Sequence, residues 1–86
     1  GAAPAITDLL GGQVQVIFDN MPSVIQHIRS GALRALAVTT ATRSAQLPDT
    51  PTVADTVPGY EASALFGMAA PKNTPKEIIA KLNSEI

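Results

Sequence analysis

Residues 11–40, GGQVQVIFDNMPSVIQHIRSGALRALAVTT, decide the fold class of this 86-residue chain. Val14, Val16 and Phe18 alternate with Gln15, Ile17 and Asp19, the two-residue period of a strand. Asn20, Met21 and Pro22 break that run. Val24, Ile25 and Ile28 then recur at helical spacing, and Gly31 offers a left-handed stop. Residues 33–38, LRALAV, are almost wholly apolar, as expected of a parallel strand covered on both faces. Strand, helix and parallel strand together make a right-handed crossover unit. The expectation is an α/β fold with a parallel βαβ core.

Outward from this stretch, the first twelve residues read as a short helix. Pro4 suits the first helical position, Ala5/Leu9 and Ile6/Leu10 are four apart, and Asp8 sits toward the positive helix start. Gly11 and Gly12 end it. Residues 41–52 are loop-like, with Pro48 and Pro51 around Asp49-Thr50. Thr52 is placed to cap a short helix over residues 53–56, and Asp55 completes a capping box. Pro58-Gly59 stops it, and residues 60–68 form a candidate strand in a small, apolar run. In the last element Thr74 is the cap, Pro75 the first helical residue and Glu77 the reciprocal partner. Its stripe of Ile78, Ile79, Leu82 and Ile86 has no evident partner in the chain, so self-association is expected.

Composition narrows the function. A formal net charge of -1 gives no electrostatic case for nucleic acid or an anionic membrane. The absence of cysteine excludes disulfides and thiolate metal sites. His27 is the single histidine, read as an exposed helical residue on a face different from Val24 and Ile28. With no second histidine or paired carboxylates nearby in sequence, neither a metal site nor a nucleophile with its base can be assembled, and no enzyme is expected. Arg29, Arg34 and Arg43 are scattered and read as solvated, with Arg43 the one candidate exception. No run approaches the ~20 apolar residues of a membrane span.

Three places could touch a ligand. The helix entrance Gly1-Ala2-Ala3-Pro4 combines free backbone N–H groups with small side chains, an anion-binding arrangement and equally an ordinary helix start. Asp19-Asn20 ends the first expected strand, where ligands of open α/β sheets sit, and either residue could instead cap the next helix. Thr39-Thr40 ends the second, where the hydroxyls could face the same cleft or satisfy loop backbone.

The runs PAITDLLGGQVQVIFDN, LRALAVTT, LPDTPTVAD and PGYEA, in this order and spacing, closely resemble the Bug (Bordetella uptake gene) family. These are the extracytoplasmic solute receptors of tripartite tricarboxylate transporters. The resemblance covers essentially the whole chain. It implies an incomplete type II periplasmic-binding-protein-like lobe, a fragment covering most of the second domain. Residues 1–58 would be the lobe core, 59–71 a crossover toward a first lobe, and 72–86 a helix packing on that lobe. The implied function is capture of a small carboxylate in the periplasm for delivery to membrane permease subunits, with no cofactor and no catalysis. The signal peptide would lie outside these residues. The ligand carboxylate would be held by backbone N–H groups and water, with Gly1, Ala2 and Ala3 contacting it and Asp19 at the cleft edge. The alternative is a ligand-sensing domain of a transcription regulator of similar bilobed fold.

Overall fold

The computed structural model describes all residues, Gly1–Ile86, as three α-helices and one 3-10 turn joined by long irregular segments. Helix α1 spans Ala2–Leu10, α2 Met21–Arg29 and α3 Lys76–Glu85, and the 3-10 turn covers Val53–Asp55. Local sequence chemistry explains the ends of α1 and α2. At the end of α1 the Gln13 N–H donates to the Asp8 carbonyl (2.8 Å) and the Gly12 N–H to Leu9 (3.2 Å), with Gly12 at φ 78°. This double closure of the last carbonyls is a Schellman motif, and its left-handed residue favours glycine. Asp8 therefore lies at the end of α1, not near its positive start as the sequence reading had it. Gly31, at φ 81°, ends α2 as expected, its N–H donating to Ile28 (3.1 Å). Pro4 falls at the third helical position, still within the first turn, where its missing N–H costs no intrahelical bond.

The capping box expected at Thr52 is present. Thr52 Oγ1 accepts from the Asp55 N–H (3.1 Å), and the Thr52 N–H donates to Asp55 Oδ2 (3.2 Å). The box anchors the one sheet-like contact. Val38 and Thr52 form a parallel bridge, with the Val38 N–H donating to Pro51 (2.9 Å) and the Val53 N–H to Val38 (3.0 Å). Thr52 is buried, so replacement by valine keeps the volume and removes a buried acceptor. Thr52→Val should lower unfolding free energy by about 1–2 kcal/mol in urea titration. A change within about 0.5 kcal/mol, the level of ordinary surface substitutions, would contradict the anchoring role.

The expected strands are not formed. Residues 14–18 and 33–38 make no ladder with one another, and residues 60–68 donate only from Tyr60, within a local turn to Val57 (3.1 Å), and from Ala62, to the Thr39 carbonyl (2.9 Å). A strand's hydrogen bonds lie wholly with its neighbours. The chain makes 38 backbone–backbone hydrogen bonds, against roughly 60 expected for a globular chain of this length. The alternation persists in the side chains: Ile17 is half-buried between exposed Val16 and Phe18. A parallel βαβ core is thus legible in pattern but not paired in this chain.

The core lies between α1 and α2 and under the bridge, where Ile6, Val24, Ile25 and Val38 are buried. Helix α3 packs against no other helix. Thr74 does not cap it. Its hydroxyl donates to the Pro71 carbonyl (2.7 Å), closing the turn that holds Asn73 at φ 68°, and Pro75 becomes the residue before the first helical turn. The radius of gyration is 17.2 Å, against about 12 Å for a compact domain of this length.

Candidate functional site

The start of α1 is built from backbone. A helix beginning at Ala2 leaves the Ala2 and Ala3 N–H groups without intrahelical acceptors, and Pro4 has none to offer. No carboxylate occupies the first turn, so nothing on this helix competes for its positive end. The Ala5 N–H closes back to the Gly1 carbonyl (3.4 Å), and Thr7 Oγ1 donates to the Ala3 carbonyl (3.0 Å). Gly1, Ala2 and Ala3 are exposed, and no atom lies within 4 Å of the position a Gly1 side chain would take. Two adjacent amide donors, a favourable dipole and no side chain beyond a methyl form a surface that a carboxylate can approach closely.

A shallow groove of about 410 Å³ runs from this entrance between α1 and α2, lined by Ala2, Ala3, Ile6, Thr7, Leu10, Ser23 and His27. Ser23, in the first turn of α2, and His27 are its α2 side, and of the expected ligand contacts Ala2 and Ala3 line it while Gly1 and Asp19 do not. Asp19 directly precedes α2, beside Asn20 as its N-cap. Neither residue caps with its side chain, contrary to the capping alternative. Instead Asp19 Oδ1 accepts from the Asn20 N–H (2.8 Å), which fixes the carboxylate, and the buried Oδ2 has no partner within the chain.

His27 departs from its reading. It is half-buried and lines the groove, because a position three residues after Val24 shares the face that α2 turns toward α1. Arg43 is the exception the sequence allowed: its Nη1 donates to the Pro48 carbonyl (3.2 Å) and tightens the loop. Thr40 takes the loop-satisfying role, Oγ1 donating to the Thr42 carbonyl (2.6 Å), and the Thr39 carbonyl receives Ala62. Neither threonine lines the groove. No group of three or more His, Cys, Asp or Glu side chains could hold a metal ion. No helix is long and apolar enough to cross a membrane.

Comparison with known proteins bears on what this arrangement serves. The chain is 48% identical over 87 residues to Protein BugT of Bordetella pertussis, covering 100% of this chain and 27% of that protein. It is 41% identical over 88 residues to the UPF0065 protein in the tcbD-tcbE intergenic region of a Pseudomonas species, covering 100% of this chain and 26% of the relative. A third relative, the UPF0065 protein in the clcB-clcD intergenic region of Pseudomonas knackmussii, is 33% identical over 86 residues, covering 98% of this chain and 51% of the relative. The chain thus spans about a quarter of the length of the first two and about half of the third. The family model described as the tripartite tricarboxylate transporter family receptor matches residues 1–86, and the chain belongs to that family.

Proposed function

We propose that the protein carrying these residues is a periplasmic solute receptor that captures a small carboxylate and presents it to the membrane permease subunits of a tripartite tricarboxylate transporter. The observation that carries this reading is the family match across residues 1–86. The 86 residues contribute most of one lobe of a type II periplasmic-binding-protein-like fold. The segments 14–18 and 33–38 are strands of its parallel sheet, completed by neighbours outside this stretch. Residues 59–71 cross toward the other lobe, and α3 packs on it. Hinge closure between the lobes buries the solute, and no bond is made or broken.

At the site, the free N–H groups of Ala2 and Ala3 donate to a ligand carboxylate at the positive end of α1, and Gly1 leaves room for its approach. Asp19, held by the Asn20 amide, stands at the edge of the same cleft. The scattered arginines need no role in binding, which agrees with Arg43 serving its own loop. Nothing favours the regulator alternative.

The test is thermal denaturation and calorimetry of the full-length protein against mono-, di-, tri- and hydroxycarboxylates, with neutral sugars and amines as controls. A cognate carboxylate at a hundred times its Kd should stabilise the protein by about 2.7 kcal/mol. Stabilisation by none of the carboxylates, or only by a neutral solute, overturns the reading.

A further inference from the structure

We draw no further inference here: the strongest candidate, the groove between α1 and α2 lined by Ala2, Ala3, Ser23 and His27, belongs to the site already described, and the buried polar atom without a partner, Asp19 Oδ2, does not line it.

Discussion

Replacing Ile6 by alanine is expected to lower the unfolding free energy by about 2–5 kcal/mol, the usual cost of removing a large buried aliphatic side chain. The effect is large here because so little else is buried. Ile6 at 7% exposure is the buried residue of α1, Val24 and Ile25 are those of α2, which α1 contacts, and Val38 is the fourth member of the apolar core. Whole-domain stabilities run at roughly 0.05–0.15 kcal/mol per residue, so this one change removes a large fraction of what a chain of this size holds. Helices of nine residues do not persist in water without tertiary packing. The far-UV circular dichroism of Ile6→Ala should therefore fall with the urea midpoint, both helices melting together. Ile6→Val should cost only about 0.5–1.5 kcal/mol. An alanine variant within about 0.5 kcal/mol of the parent, the range of surface changes, would mean that α1 and α2 are not held by this contact.

Ala3→Asp is expected to separate folding from binding in the full-length protein. A carboxylate in the first turn interacts favourably with the helix dipole, so stability should hold or rise by about 0.3–1 kcal/mol. Under the proposed function the same carboxylate stands where the ligand carboxylate docks. Two like charges about 4 Å apart at a protein surface repel by roughly 4 kcal/mol, which corresponds to an affinity loss on the order of 10²–10³-fold. Ala3→Asn, similar in size and uncharged, should lose far less. Calorimetry with the carboxylate selected by the screen reads both variants. Equal affinity for Ala3→Asp and the parent would remove the start of α1 from the binding site and leave the receptor assignment to stand on the family match.

Several features were legible because they are local. The left-handed stop at Gly31, the closure by Gly11 and Gly12, and the Thr52–Asp55 capping box each depend on residues within about five positions of one another. Family membership was equally legible, in ordered runs spread along the chain. Where local reasoning failed, a competing local bond had won or a helical face had been misjudged. The sequence context makes Thr74 a cap, but its hydroxyl donates to the Pro71 carbonyl behind it. Composition and periodicity suggest an exposed His27, but its spacing from Val24 puts it on the packed face.

The sequence by itself determined where α1 and α2 end and where the 3-10 turn begins, because glycine conformation and the Thr52–Asp55 capping box act over one or two turns. It also determined the strand-like alternation of residues 14–18, since side-chain period is a property of the segment alone. Only the tertiary structure decided that those residues find no strand partner within residues 1–86, that Val38 takes its parallel partner at Thr52, and that Asp19 Oδ2 is buried without a donor from this stretch. Pairing and burial are properties of what lies alongside a segment, and a strand's hydrogen bonds, unlike a helix's, all leave the segment that makes them.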